Sequence, residues 1–458
     1  MTTIEQTLAA KREQHLKELS DWLSIPSVSA LSEHKEDMTR TAQWTADQLT
    51  TIGLENVEIM PTKGHPVVYG EYLQHDDKPT VLIYGHYDVQ PVDPIELWDT
   101  PPFEPDIRDN KIYARGATDD KGQTFMHIKA LETLKAVHGE LPINVKVMIE
   151  GEEEIGSPNL DAFVEQYKEK LKADVLVISD TTMIEKGKPT VCYGLRGLAG
   201  LQVDLKGAKG DLHSGLYGGG VQNPLHALAS LLSSMHDDKG RVTVEGFYDN
   251  VIPLTDEEKA AYDALNYDES ALIEELKVPE LFGEEGYSFL ERTWVRPTLE
   301  INGMFGGFQG EGIKTVLPAE ASAKISCRLV PGQDPDDIVE RLDAHIEKHM
   351  PKGVTFTTTP FDKGKPFVTP YDHPAIQRAG EALEEVYGEK TAYTRMGGSL
   401  PIAETFSEIL DLPIVLMAFG LPSENFHAPN EHFHLENFDQ GLRAICNYYE
   451  KLSKTGLS

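Results

Sequence analysis

The chain has 458 residues, 40% hydrophobic and 26% charged, a globular composition too long for one ordinary core. Its 42 basic and 75 acidic residues leave a formal charge of −33, which repels phosphate backbones and anionic lipid and argues against nucleic acid or membrane as partner. Three scattered cysteines, Cys192, Cys327 and Cys446, form neither a disulfide framework nor a CxxC thiolate site, and point to a reducing cytoplasm.

The N-terminal MTTIEQTLAAKREQHLKELSDWL reads as a charged amphipathic helix without the apolar stretch of a signal peptide. No run reaches the roughly 20 apolar residues of a membrane span. A second helix is predicted over TAQWTADQLTTIG, then a strand over TVLIYG at 80–85 and a helix from Lys121. Strand INVKVMIE, helix LDAFVEQYKEKL and strand ADVLVIS follow. This alternation predicts an α/β domain with a mainly parallel sheet and helices on both faces.

Near residue 197 the pattern changes. GLAGLQVDLKG alternates as a strand, and NPLHALASLLSSMH reads as a helix with Asn223 as N-cap and Pro224 in the first turn. An irregular acidic segment covers roughly 237–295, with short helical stretches at EEKAAYDAL and ESALIEEL. AEASAKISCRLVPG and GVTFTTTPF read as strands around the helix DPDDIVERLDAHIEKHM. HPAIQRAGEALEEVYG and LPIVLMAFG then resume the first style. The expected organisation is a discontinuous domain of 1–196 and 368–458, interrupted by an inserted α+β domain at 197–367.

The residues that follow the apolar strands carry the chemistry. His86 and Asp88 follow VLIYG, Glu152, Glu153 and Glu154 follow VKVMIE, Asp180 follows VLVIS, and His427 lies in the loop after IVLMAFG. Open α/β sheets bind ligands outside the carboxyl ends of their strands. Each residue alone has a plainer reading: a satisfied histidine, a turn acid, or, for Asp119 in RGATDDKGQ, a helix N-cap. Together they would crowd carboxylates at one edge, which is costly without a cation. Mixed imidazole and carboxylate donors suit zinc, manganese or cobalt better than calcium or magnesium.

In order along the chain, HYDVQP, RGATDDKG, EGEEEIGS, DLHSGLYGG and FHAPNE resemble the di-metal aminoacylase and carboxypeptidase-type metallopeptidases, most nearly the cytosolic non-specific dipeptidases and carnosinases. The resemblance implies that His86 and Asp180 bind one metal, that Glu154 and His427 bind the other, and that Asp119 bridges them through a turn with a cis Asp119–Asp120 peptide. It implies Asp88 as the residue orienting His86, and Glu153 as general base for a water activated between two divalent ions. Glu150 and Glu152 are left over from the run, and Glu152 is expected to be solvated. The resemblance also implies a homodimer formed through the inserted domain, with His213 reaching the partner's active site and Thr315 reaching across in the same way. Arg328 is expected to bind the substrate's terminal carboxylate, and Gly397, Gly398 and Ser399 to add donors.

The activity implied is hydrolysis of small peptides with a free C-terminal carboxylate. The nearer alternative is an N-acyl amino acid amidohydrolase of the same superfamily; the long inserted segment argues for the dipeptidase branch. A non-catalytic binding protein on the same fold is the distant alternative, opposed by the intact Glu153. GGFQGEGIKT is not a phosphate loop, because Ile313 separates Gly312 from Lys314, and no G-x-S-x-G elbow is present.

Overall fold

The computed structural model describes residues 3–398 and 401–457, without the side chains of residues 275 and 401. The chain divides into two compact units, one of Met1–Tyr193, Thr369–Thr394 and Pro401–Ser458, the other of Gly194–Val368 and Arg395–Leu400.

The first unit is built on a mixed sheet whose centre is parallel. Strand Thr80–His86 pairs in parallel with Asn144–Glu150 on one side and Val175–Ile178 on the other. Val175–Ile178 pairs in parallel with Ile414–Ala418. The margins are antiparallel: Val67–Tyr72 on Asn144–Glu150, Glu55–Met60 beyond it, and Thr190–Leu195 on Ile414–Ala418. Every residue of Asn144–Glu150, Val175–Ile178 and Ile414–Ala418 is buried, which is why these strands read as continuous apolar runs rather than as alternation. Parallel pairing aligns the carboxyl ends, so His86 stands opposite Glu150 in register.

Helices cover this sheet. Ile4–Leu23, Lys121–His138, Pro374–Tyr387 and Leu435–Thr455 pack on one another, and Lys35–Thr51 packs on the two outer strands. The helix expected over 160–171 is two pieces, Leu160–Gln166 and Lys168–Leu171, because Tyr167 between them turns to φ −109°, ψ 20°. Its ring sits 4.8 Å from that of Phe163, centroid to centroid. At the start of Lys121–His138, a Cβ on Gly122 would come within 1.9 Å of the Ala117 carbonyl oxygen. Only glycine lets the turn that carries Asp119 fold back onto that helix.

The second unit carries an antiparallel sheet in the order Thr298–Gly306, Glu320–Leu329, Gly197–Lys206, Thr355–Gly364. One face alternates inward and forms a core with helices Pro224–Ser233 and Pro335–His349, through residues such as Leu201, Ile325, Leu228 and Leu342. Asn223 caps the first of these helices by accepting from Leu225 N–H, and Pro224 occupies the first turn. The acidic stretch forms three short helices, two of them opened by full capping boxes at Thr255/Glu258 and Ser288/Glu291.

Candidate metal centre

Four strand ends and one turn in the first unit deliver the site. His86 closes its strand fully buried, and Asp88 follows, also fully buried. Glu153–Ile155 forms a single 3-10 turn beyond Asn144–Glu150, ended by Gly156 at φ 83°. Asp180 lies two residues past Val175–Ile178, and His427 lies on the loop after Ile414–Ala418 with φ 55°. Asp119 lies just before helix Lys121–His138 and is linked to Asp120 by a cis peptide. The plainer reading of Asp119 as N-cap does not apply: Asp120 holds that position, with no side-chain cap bond.

These side chains converge on two groups that share one acid. His86, Asp119 and Asp180 form one; Asp119, Glu154 and His427 form the other; within each, one ligand atom per residue lies within 4.8 Å of the rest. His86 Nε2 is 3.3 Å from Asp119 Oδ1 and 3.7 Å from Asp180 Oδ2. His427 Nε2 is 2.8 Å from Asp119 Oδ2 and 3.2 Å from Glu154 Oε2. Asp119 thus turns one oxygen toward each histidine.

A cation fits this arrangement on three counts. His86 Nε2 and Glu154 Oε1 are buried without a hydrogen-bond partner, where buried polar atoms are normally satisfied. His86 Nδ1 lies 3.0 Å from the Asp88 carbonyl oxygen; donating there leaves Nε2 with a lone pair facing the acids. Third, the carboxylates are crowded. Burial pushes Asp180 up to about 7 and Glu153 well above the usual carboxylate range, and the neighbouring acids add to both shifts. Burial also works on Asp119, but the neighbouring imidazoles of His427 and His86 outweigh it and hold its carboxyl low. The bond to Asp119 and that to Glu154 push His427 up to about 10. Divalent ions would satisfy the same ligand atoms, and a mixed imidazole–carboxylate set is one that such ions accept.

Asp88 organises the cluster from behind. Its carboxylate accepts from the backbone N–H of Glu153 at 3.2 Å and of Glu154 at 3.0 Å, and its Oδ1 lies 3.4 Å from His86 Nδ1. One buried acid therefore fixes the histidine ring and the turn that carries both glutamates. Glu152 is not solvated as expected: it is 4% exposed and accepts from Asn159 Nδ2 at 2.8 Å. The segment around Gly64 closes over it, so that a Cβ there would meet Glu152 Oε1 at 1.7 Å. Glu150 is buried too, accepting from the Tyr84 hydroxyl at 2.5 Å and Ser157 at 3.0 Å.

The remaining expected residues belong to the second unit, apart from Ser399, which lies outside the described residues. His213 is exposed on the short strand Leu212–His213, paired with Val316–Leu317, and Ser214 N–H donates to the Thr315 carbonyl at 3.1 Å. Arg328 lies in Glu320–Leu329 opposite Leu198. Burial and the neighbouring Arg328 bring the Arg196 guanidinium down to about 10. The carbonyl of Gly397, beside Gly398, accepts from Arg196 Nε at 3.1 Å.

Three contributors escaped sequence reasoning. Gln90 donates to Glu154 Oε2 at 2.8 Å. Glu424 accepts from the Thr118 hydroxyl at 2.9 Å, and Glu431 accepts from the backbone of the Asp119 turn. All three lie within or beside the motifs already singled out, which was the available signal.

The family model described as Peptidase family M20/M25/M40 matches residues 82–451. The Cys-Gly metallodipeptidase dug1 of Schizosaccharomyces pombe is 32% identical over 464 residues, covering 98% of this chain and 97% of that protein. The Beta-Ala-His dipeptidase of Homo sapiens is 31% identical, covering 98% of this chain and 92% of that one. The crystal structure of the M20 family metallo-carboxypeptidase Sso-CP2 from Sulfolobus solfataricus is similar with a TM-score of 0.80 and 34% identity, covering 96% of this chain and 99% of that one. A match of this extent, over the strands that carry the histidine and carboxylate cluster, makes the chain a member of peptidase family M20/M25/M40.

Proposed function

We propose that the chain is a metal-dependent dipeptidase that hydrolyses small peptides with a free C-terminal carboxylate. The observation that carries this reading is the sharing of Asp119 between two ligand groups, with Glu153 held beside them by Asp88. His86 and Asp180 would hold one divalent ion, Glu154 and His427 the other, and Asp119 both; zinc and manganese are the favoured ions and cobalt a further one. Bound there, two such ions acidify a water and polarise the scissile carbonyl.

The chain's own residues do the rest. Glu153 takes the proton from the attacking water and passes it to the leaving amine. Burial raises its affinity for a proton, which suits a group that must take one from water. Asp88 keeps the His86 ring and the 153–154 turn in place during that transfer. Arg328 pairs with the terminal carboxylate of the substrate, a task for which a planar guanidinium is suited. Gly397, Gly398 and Ser399 add donors around the substrate. His213 supplies a donor to the developing oxyanion of the partner's site, with Thr315 beside it.

This arrangement requires a homodimer formed through the inserted segment, read as residues 197–367, which acts as lid and dimerisation domain. The exposure of His213, with neighbours Leu216 76% and Tyr217 46% exposed, supports a surface that another copy covers. A cytoplasmic setting is supported by three buried, free cysteines. Among the described residues no helix is long and apolar enough to cross a membrane.

The test is a competition assay read by mass spectrometry. Zinc- or manganese-loaded protein meets a mixture of unblocked dipeptides, tripeptides, and N-acetyl and N-succinyl amino acids. Selective loss of dipeptides is expected. Loss of the acylated compounds alone would move the activity to the amidohydrolase branch. Loss of C-terminal residues from the tripeptides would favour a carboxypeptidase reading, which the similarity to Sso-CP2 keeps in view.

A further inference from the structure

We infer that Glu431 is a positioning residue that sets the Asp119 bridge by plugging a cradle of backbone N–H groups and tying it to the loop of His427. This rests on the two-ion reading of the site.

The carboxylate of Glu431 is fully buried. Its Oε2 accepts from Arg115 Nη1 at 2.7 Å and from Gly116 N–H at 2.9 Å. Its Oε1 accepts from Thr118 N–H at 3.0 Å and from Asp119 N–H at 3.1 Å. Four donors from one five-residue stretch therefore end on two oxygens. Successive backbone N–H groups curved around a point form an anion-binding concavity, and here a side chain of the same protein occupies it. Unmade, these buried N–H bonds would each leave a costly orphan.

The second half of the inference comes from where Glu431 sits. It follows His427 by four residues, on the loop that ends in strand His432–His434. Ala114 N–H donates to the Glu431 carbonyl at 3.1 Å, so main chain and side chain both dock on the Asp119 turn. Glu424, three residues before His427, takes the Thr118 hydroxyl at 2.9 Å. The two loops are thus stapled on both sides of the contact between His427 and Asp119. Because Asp119 belongs to both ligand groups, a shift of its turn is felt at both. Residues behind metal ligands typically change affinity by about 10- to 100-fold when replaced.

In Glu431→Gln the amide keeps one acceptor oxygen and turns an NH2 group toward two donors, so the cradle is only half satisfied. The test titrates metal-free wild type and Glu431→Gln with zinc or manganese alone against a chromophoric chelator at 25 °C, with thermal unfolding of both metal-free proteins in parallel. Expected is a loss of about 10- to 100-fold in affinity at both sites together, and turnover that recovers as metal concentration is raised. Equal affinity in a folded variant, or loss at one site only, would overturn the inference. If Glu431→Gln does not fold, Arg115→Met decides: it removes one donor of the four and should weaken both sites in the same direction, and unchanged affinity there rejects the role. Failure of wild type to bind two ions would instead reject the two-ion reading itself.

Discussion

Asp88 and His86 form a buried pair in which the Asp88 carbonyl lies 3.0 Å from His86 Nδ1 while the Asp88 carboxylate holds the N–H groups of Glu153 and Glu154. One residue thereby orients the His86 ring and the turn that carries Glu153, the proposed general base, and Glu154, a proposed ligand. Asp88→Asn preserves shape but turns an amide NH2 toward one of these two N–H donors. It should lower metal affinity by about 10- to 100-fold, as measured by competition with a chelator, and excess metal should restore only part of the turnover, since Glu153 is displaced as well.

Glu153 carries a distinct prediction. It is absent from both ligand groups, yet burial and the surrounding acids hold it well above the usual carboxylate range. Glu153→Gln should keep two ions per chain and the wild-type unfolding temperature, but lose about 10²- to 10⁴-fold in kcat. Near-normal kcat with metal bound would remove Glu153 from the proton transfer.

The dimer reading is open to complementation. His213→Ala chains and Glu153→Gln chains should each be nearly inactive alone. If His213 completes the partner's site, each mixed dimer contains one site with Glu153 and His213 both intact. Co-refolded mixtures should then regain activity; mixtures that stay inactive despite forming dimers would place His213 in its own subunit's chemistry or outside it.

Acid stability follows from a histidine that belongs to neither ligand group. His127 is 1% exposed, with Nδ1 2.8 Å from the Tyr449 hydroxyl and Nε2 2.8 Å from the Ser179 hydroxyl. Burial lowers it from 6.5 to about 3. The unfolded chain therefore binds more protons between those values, and the stability held above pH 6.5 declines as pH falls toward 3. The contribution is on the order of a few kcal/mol. Chemical denaturation of the metal-free protein across this range should show the slope, and His127→Gln should flatten it; an unchanged slope would mean that other groups dominate.

Much of the site was legible because the parallel centre of the sheet writes itself as uninterrupted apolar runs. Wherever such a run stops at His86, at the acidic turn, at Asp180 or at the His427 loop, the next polar residue stands at a common edge. The register within EGEEEIGS was not legible from spacing, since any of four glutamates could face the edge; there the resemblance supplied the assignment of Glu153 and Glu154. Glu152 was misread as solvated because its burial depends on the distant segment around Gly64 and on Asn159. Glu431 went unnoticed for a related reason: its partners, from Arg115 to Asp119, lie more than 300 residues earlier in the chain. Local pattern shows which residues end a strand, not which remote backbone they satisfy. The interruption at Tyr167 is of the same kind, a tertiary choice inside a sequence that is helical by pattern.

The most direct measurement counts ions. Metal-free wild type is titrated with zinc or manganese while bound metal per chain and dipeptide hydrolysis are followed together, and Asp119→Ala is taken through the same titration. Two ions per chain are expected for wild type, with full activity only when both are bound, and Asp119→Ala should hold neither tightly. Full activity with a single ion, or an Asp119→Ala chain that still holds two, would contradict a centre built on one shared carboxylate.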